Sequence, residues 1–194
     1  WGGTTVAQWL PEGQLYPRLR QAMAGLGGAG GFRAVLWHQG ESDAVGGTST
    51  AAYAAALTRI ISQSREDAGG AVPWLVAEVS FAPGLGQPPR DAVIAAQRQV
   101  IANLAGVFAG PGTDDLVGPE WRFDGIHFGA AGLSLHGRRW QEALAASGIL
   151  PPAEALSRVD AGRLVELLHP TIAKDTPRTL VARGLPASPG VAIG

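Results

Sequence analysis

The stretch AVLWHQGESD at residues 34–43 decides the fold of this chain. Its first four residues are an unbroken apolar run, which is typical of a strand buried on both faces of a parallel sheet. The polar phrase WHQGESD begins at the end of that run. Ligands of open α/β sheets bind just beyond the carboxyl ends of the strands. The stretch therefore predicts a parallel sheet with a binding or catalytic site at residues 38–43.

Strand and helix patterns alternate on both sides of this stretch. Apolar residues recur at helical spacing in several segments, and short apolar runs lie between them. We predict helices at 16–26, 50–66, 91–104 and 130–146, and further strands at 74–79 and 107–109. The segments 46–49 and 81–89 are predicted loops because they are rich in Gly, Pro and polar residues. This alternation indicates an α/β layered fold with a parallel sheet.

A change in amino-acid composition near residue 150 predicts a domain boundary. Pro151 and Pro152 follow the last helix, and a short amphipathic stretch and a tail rich in Pro, Thr and Ser come after them. We expect one domain over residues 1–150 and a linker-like tail over residues 151–194.

Composition excludes several classes of protein. Hydrophobic residues make up 46% of the 194 residues and charged residues 16%, which is enough apolar side chain for a core. A net charge of −1 argues against nucleic acid as a partner. No apolar run reaches the roughly 18 residues of a membrane span. The absence of cysteine excludes disulfides and thiol catalysis, and no His, Asp and Glu cluster has metal-ligand spacing.

A second polar phrase, DGIHF at residues 124–128, lies in the loop before the last helix. One tight turn across this spacing brings the Asp124 carboxylate against the His127 ring. The carboxylate then accepts a hydrogen bond from one ring nitrogen and leaves the other nitrogen free to act as a base. A nearby hydroxyl would complete a catalytic triad. The plain alternative is a loop hydrogen bond, because Asp-x-x-His is short and common.

Each of the residues after the first predicted strand has either a structural or a functional interpretation. His38 follows an apolar strand and is expected as a packed histidine rather than a ligand. Glu41 and Asp43 are either a solvated pair or, without further support, a glycosidase dyad. Gln39 stands in a tight turn at a strand end, where its amide donors would point into the crevice. Two tryptophans, Trp9 and Trp121, are either sugar-stacking platforms or lids over the core.

Together these phrases resemble one family. Their order and spacing over about residues 1–147 are similar to the sialate O-acetylesterase and acetylxylan esterase branch of the SGNH hydrolases. The matching residues are Gly2-Gly3-Thr4, Trp9, the phrase WHQGESDA at 37–44, Tyr53, Arg65 and the phrase DGIHF at 124–128.

The resemblance implies a three-layer α/β/α, flavodoxin-like fold that uses neither a metal nor a cofactor. It makes His127 the general base and Asp124 the acid that orients it. The side-chain amide of Gln39 and the backbone N–H of Gly3 become oxyanion donors, with Gly2 as the fallback alignment. It also implies that His38 and Glu41 shape and brace the loop.

The family's nucleophile lies in a Gly-Gln-Ser or Gly-Asp-Ser phrase upstream of Gly-Gly-Thr. We therefore expect the domain to be truncated at its N-terminus, without the strand that carries this serine, and to have no nucleophile of its own. Ser42 and Ser80 lie near strand ends, but neither stands in a nucleophile elbow, and we reject both. The missing strands also predict an open, apolar edge at the strand beginning at Ala34.

The tail resembles a second family. The phrases RVD at 158–160, LLHP at 167–170 and GLPASPG at 184–190 are similar to the linker that precedes the phosphohistidine domain of pyruvate, phosphate dikinase. The resemblance covers about residues 153–194, and His169 does not match that family's phosphorylated histidine. A joined or misassembled reading frame is our expectation for this combination.

The resemblances predict a carbohydrate O-acetylesterase that is inactive as this fragment, with an acetylated carbohydrate as its partner and no membrane or nucleic acid. One alternative is a non-catalytic carbohydrate-binding or structural remnant. Another alternative relies on the resemblance of the tail and makes the chain part of a phosphotransfer enzyme. The sequence indicates neither an oligomeric state nor a compartment.

Overall fold

The computed structural model describes residues 1–150, which form an α/β domain around a parallel sheet. Three strands of this segment pair in the order β1-β2-β3, with bounds Val35–Trp37, Trp74–Glu78 and Val107–Gly112. Its helices are α1 (Tyr16–Gly25), α2 (Glu41–Gly46), α3 (Thr50–Ala68), α4 (Gln87–Asn103) and α5 (Ala130–Ser147). Two 3₁₀ turns lie at Val6–Trp9 and Gly28–Gly30. The predicted fold class, α/β with a parallel sheet, is confirmed.

The core lies mainly between the sheet and the pair α3 and α4. Strand β2 is central, and its first four residues, 74–77, are fully buried on both faces. The apolar stripe of α3 contributes Tyr53, Leu57, Ile60 and Ile61 to the same core, all fully buried. Helices cover both faces of the sheet, and α5 packs against β3. Burial of this apolar area is the main stabilising contribution to the fold.

Strand β1 stands at one edge of the sheet within residues 1–150. Val35 pairs with Trp74, and Trp37 pairs with Val76, all in parallel register. Leu36 points away from the main core and keeps 42% of its surface exposed. Within the described residues β1 is therefore an edge strand, and it is not buried on both faces as the sequence predicted. Aggregation through that edge stays a prediction.

Two predicted bounds were wrong by three or more residues, and one helix was not predicted. Helix α4 begins at Gln87 rather than residue 91, because Pro88 and Pro89 fit the first turn of a helix, where no intrahelical N–H bond is lost. Strand β3 continues through 110–112 because an edge strand tolerates Gly and Pro. Helix α2 was not predicted because its six residues are too few for a periodic pattern. The linker expected over 151–194 lies outside the described residues.

Candidate active site

The Asp124–His127 phrase lies in a tight hairpin over residues 122–128. An isolated antiparallel bridge joins Arg122 to Phe128, and the N–H of Phe123 donates to the carbonyl of His127 at 3.1 Å. Gly125 sits at the tip with a φ of +82°, a left-handed conformation that glycine adopts without steric cost. The hairpin places the side chains of Asp124 and His127 on the same loop tip, next to the start of α5.

Asp124 holds His127 from two directions. Its Oδ2 lies 2.7 Å from the ring Nδ1, and its Oδ1 accepts the backbone N–H groups of Ile126 at 2.9 Å and His127 at 2.7 Å. The hydrogen bond from the His127 ring, followed by those from the two backbone N–H groups, holds the pKa of Asp124 well below its usual range. The carboxylate is therefore ionised at neutral pH and fixes the proton on Nδ1.

The other ring nitrogen of His127 is available. The side chain is 71% exposed, and its Nε2 makes no hydrogen bond within residues 1–150. The exposed ring of Phe123 stacks beside the imidazole, with 6.1 Å between ring centroids. A neutral imidazole with Nδ1 bonded to a carboxylate and Nε2 free has the form that a general base requires.

Gln39 is buried at the end of β1, with 8% of its surface exposed. Its Nε2 donates to the carbonyl of Thr4 at 2.9 Å and to Asp43 Oδ2 at 2.5 Å, so both amide hydrogens are used inside the protein. Its Oε1 accepts the hydroxyl of Tyr53 at 3.0 Å. Gly3, the residue before Thr4, is exposed with a φ of +70°. The hydrogen bond to Thr4 therefore links Gln39 to the Gly-Gly-Thr phrase, and the role of Gln39 and Gly3 as oxyanion donors stays a prediction.

Asp43 supports Gln39 and is not part of a solvated pair with Glu41, which was one of the two alternatives from the sequence. It is 1% exposed, and its carboxylate also accepts the N–H of Val6 at 2.7 Å and the hydroxyl of Thr48 at 2.8 Å. The expectation failed because α2 turns this residue inward, beneath the 3₁₀ turn that contains Val6. Asp43 thus ties the N-terminal stretch to the phrase after β1.

Gln97 of α4 is a further supporting residue that the sequence analysis missed. It is fully buried. Its Oε1 accepts the N–H of Val79 at 3.0 Å, and its Nε2 donates to the carbonyls of Val79 at 2.9 Å and Gln39 at 3.1 Å. The signal was a lone amide on the same helical face as Val93 and Val100, both buried apolar residues. Gln97 fixes the backbone where β1 and β2 end.

Gly40 shows how closely these strand ends approach each other. A Cβ at this position would lie 2.6 Å from the Gln97 Nε2 and 3.0 Å from Val93 Cγ1, and closer still to the carbonyl oxygen of Val79. No other residue fits without a backbone shift. The glycine of the WHQGESD phrase is therefore needed for packing.

His38 and Glu41 form a pair beside these residues. The His38 Nε2 lies 3.3 Å from Glu41 Oε1, and both side chains are partly exposed. Burial raises the pKa of Glu41, but its hydrogen bond and attraction to His38, with backbone N–H groups, give a net lowering. The His38 ring contacts that of His136 on α5, with 4.8 Å between centroids. This contact joins the strand end to the helix that follows the hairpin.

The two serines rejected from the sequence differ in environment. Ser80 is fully buried, and its hydroxyl donates to Asp114 Oδ2 at 2.6 Å, where Arg90 also binds at 3.2 Å. Ser42 lies in the first turn of α2 and is partly exposed. No serine hydroxyl in the described segment hydrogen-bonds to His127.

Trp9 contacts the residue that holds Gln39, because Thr4 accepts both the Trp9 ring N–H and the Gln39 amide. Trp9 packs edge-on against Trp37 and donates to the hydroxyl of Thr4, so it covers the core, and Trp121 is partly buried.

A pocket of about 330 Å³ lies between α4 and the ends of β2 and β3. The lining residues are Glu78, Ser80, Gln87, Arg90, Asp91, Ile94, Arg98, Gly112, Asp114 and Asp115, which include neither oxyanion candidate nor the Asp–His pair.

Two classes of feature are absent from residues 1–150. No group of three or more His, Cys, Asp or Glu side chains there is arranged to hold a metal ion. Among the helices of the same segment, none has the length and apolar character needed to cross a lipid bilayer.

Comparison with known proteins gives two matches in sequence. The model of the family described as carbohydrate esterase, sialic acid-specific acetylesterase matches residues 1–146. A stretch of 51 residues is 45% identical to pyruvate, phosphate dikinase of Rhizobium meliloti (strain 1021), covering 26% of this chain and 6% of the dikinase. This second match is consistent with the resemblance noted for the tail. No solved structure matches the chain.

Proposed function

Because the chain belongs to the carbohydrate esterase, sialic acid-specific acetylesterase family, we propose that it carries the acid–base and oxyanion residues of a serine O-acetylesterase that acts on acetylated sugars. The observation that carries the proposal is the Asp124–His127 pair, with 2.7 Å between carboxylate and Nδ1 and a free, exposed Nε2. O-acetylated sialic acids and acetylated xylan are the proposed substrate classes.

The proposed reaction is acyl transfer in two steps. The His127 Nε2 takes the proton of a serine hydroxyl as its oxygen attacks the acetyl carbon, and Asp124 stabilises the imidazolium that forms. His127 then returns the proton to the departing sugar oxygen as the ester C–O bond breaks. Water, activated by the same nitrogen, hydrolyses the acetyl-enzyme and releases acetate.

Gly3 and Gln39 are the proposed oxyanion donors. The N–H of Gly3 lies on an exposed turn. Both amide hydrogens of Gln39 are already donated, so Gln39 can donate to the oxyanion only by exchanging or sharing one of these two hydrogen bonds. The carbonyl of Thr4 is the acceptor that it would release, because a hydrogen bond to the buried, charged Asp43 is stronger than one to a neutral carbonyl. His38 and Glu41 are proposed to brace this turn.

We assign the nucleophile to no serine of residues 1–150. Ser80 is buried and bonded to Asp114, and Ser42 lacks a hydrogen bond to His127. Residues 1–150 by themselves are therefore proposed to be inactive, since losing the serine of a comparable triad removes roughly 10⁶-fold of the rate.

The test uses two forms of the protein. The first is the 194-residue chain, for which we expect no hydrolysis of p-nitrophenyl acetate above background. The second, which we call the serine-supplied enzyme, is the same chain joined at Trp1 to a family member's segment with the Gly-Asp-Ser or Gly-Gln-Ser phrase. Hydrolysis by the first form that disappears in His127→Ala would place the nucleophile within this chain.

Gln39→Ala tests the oxyanion assignment in the serine-supplied enzyme. Loss of one oxyanion donor typically lowers turnover by about 10²–10³-fold, and we expect a loss of that order. Asp91→Ala is the control because its side chain is exposed and makes none of the hydrogen bonds around Gln39. A turnover within about twofold of the parent enzyme would remove Gln39 from the site.

A further inference from the structure

Arg122 is a buried cation whose hydrogen bonds go to carbonyl oxygens. It is 6% exposed. Its Nε donates to the carbonyl of Leu116 at 2.7 Å, its Nη1 to that of Ile126 at 2.5 Å, and its Nη2 to that of Thr113 at 3.3 Å. These acceptors lie after β3, in the following loop and in the hairpin. One side chain thus fastens the hairpin to the loop that follows the sheet.

Two aromatic rings enclose the same guanidinium. Its central carbon lies 4.2 Å from the centroid of Phe128 and 4.5 Å from that of Phe81. No carboxylate within residues 1–150 forms an ion pair with it. A planar guanidinium can stack on rings and donate in a fixed fork at the same time, which an ammonium group cannot do. The site therefore requires arginine for its shape as well as its charge.

The bond to Ile126 acts on the peptide group that leads into His127. The carbonyl of this peptide accepts from Arg122, and its N–H, which belongs to His127, donates to Asp124 Oδ1 at 2.7 Å. The peptide plane is therefore held from both ends. Its orientation sets the direction in which the His127 side chain leaves the backbone.

We propose that Arg122 is a positioning residue, which fixes the peptide between Ile126 and His127 and so keeps the imidazole against Asp124. The catalytic consequence rests on the function proposed above, but the positioning itself does not. Arg122 acts through the hairpin and touches no reacting atom. In an active enzyme its loss lowers kcat and leaves KM nearly unchanged, because the base is misplaced while the substrate contacts remain.

The test on the 194-residue chain is an NMR titration of the Asp124 carboxyl carbon. The short bonds to Asp124 keep its titration well below that of an ordinary Asp in the parent protein. In Arg122→Met we expect the midpoint to rise by at least about one pH unit, because the N–H donors are no longer held in place. Amide exchange at His127 should become at least about tenfold faster. Circular dichroism confirms that each variant is folded.

Two further variants make the result specific. Arg122→Lys keeps the charge and most of the bulk, so it carries the test if Arg122→Met does not fold, and it should show the same shift. Arg139→Met is the matched control, because Arg139 binds Asp115 and the carbonyl of Gly112 without touching the hairpin. It should leave the Asp124 titration unchanged. An unchanged midpoint in folded Arg122→Lys would overturn the proposal.

Kinetics of the serine-supplied enzyme separate this inference from the proposed function. We expect Arg122→Lys to lower kcat at least about tenfold while KM changes less than about twofold. If the Asp124 titration shifts but no form hydrolyses acetyl esters, the function fails and the positioning stands. If the enzyme is active and neither kcat nor the titration responds, the positioning fails and the function stands.

Discussion

Replacing Asp43 by alanine should destabilise the domain far more than a typical substitution does. The buried carboxylate accepts the N–H of Val6 at 2.7 Å, Gln39 Nε2 at 2.5 Å and the hydroxyl of Thr48 at 2.8 Å. Thr48 is partly exposed and can turn to water, but the other two donors are left buried. Each unsatisfied buried donor costs about 1–3 kcal/mol. We therefore expect Asp43→Ala to lower the free energy of unfolding by about 4 kcal/mol.

Asp43→Asn provides an internal comparison. The asparagine oxygen can still accept from Val6 and Gln39, and its amide can donate to the Thr48 hydroxyl, so only the charge of the acceptor is lost. We expect a loss of about 1–2 kcal/mol for this variant.

Urea unfolding followed by tryptophan fluorescence measures both values. Trp74 is fully buried in β2 and reports on the core. Asp91→Ala is the control, since an exposed carboxylate without such contacts should change stability by less than about 0.5 kcal/mol. If Asp43→Ala lost less than about 1 kcal/mol, or no more than Asp43→Asn, the inferred network around Gln39 would be wrong.

Two other predictions concern packing and pH. Gly40→Ala should lower the free energy of unfolding by about 3 kcal/mol, because its Cβ would meet the Val79 carbonyl and Gln97. Gly137→Ala is the control: nothing lies near this position of α5, so alanine should raise the free energy of unfolding by roughly 0.5–1 kcal/mol. Equal thermal midpoints for the two variants would contradict this prediction. Burial and nearby cations lower the pKa of His136 to about 4 from 6.5. The unfolded state therefore binds more protons between these values, and stability falls as pH falls through that window. Urea midpoints should decline less steeply there in His136→Gln, and an identical slope would refute the assignment.

Much of the fold was predictable because the apolar segments are strongly patterned. The run at 34–37 predicted a strand and the apolar stripe at 50–66 predicted a helix, and the structure has β1 and α3 there. The predicted burial of the strand on both faces was wrong, because Leu36 of the edge strand β1 is 42% exposed. The start of α4 was not predictable from composition, since Pro88 and Pro89 are also what a loop would contain. The six residues of α2 carry too little periodicity to be recognised.

The candidate site also has a part that the sequence predicted and a part that it did not. Asp124 and His127 are three residues apart, so a single turn makes their contact and the spacing reveals it. The supports of the site depend on contacts between distant parts of the chain. Gln97 bonds to Gln39 across 58 positions, and Asp43 bonds to Val6 across 37. Only the three-dimensional fold brings such pairs together.

Acetate release from an O-acetylated sugar by the serine-supplied enzyme tests the central claim most directly, because it asks whether His127 acts as the base. We predict release by the parent enzyme and a loss of at least about 10³-fold in a folded His127→Ala variant. A His127→Ala rate close to that of the parent would contradict the claim.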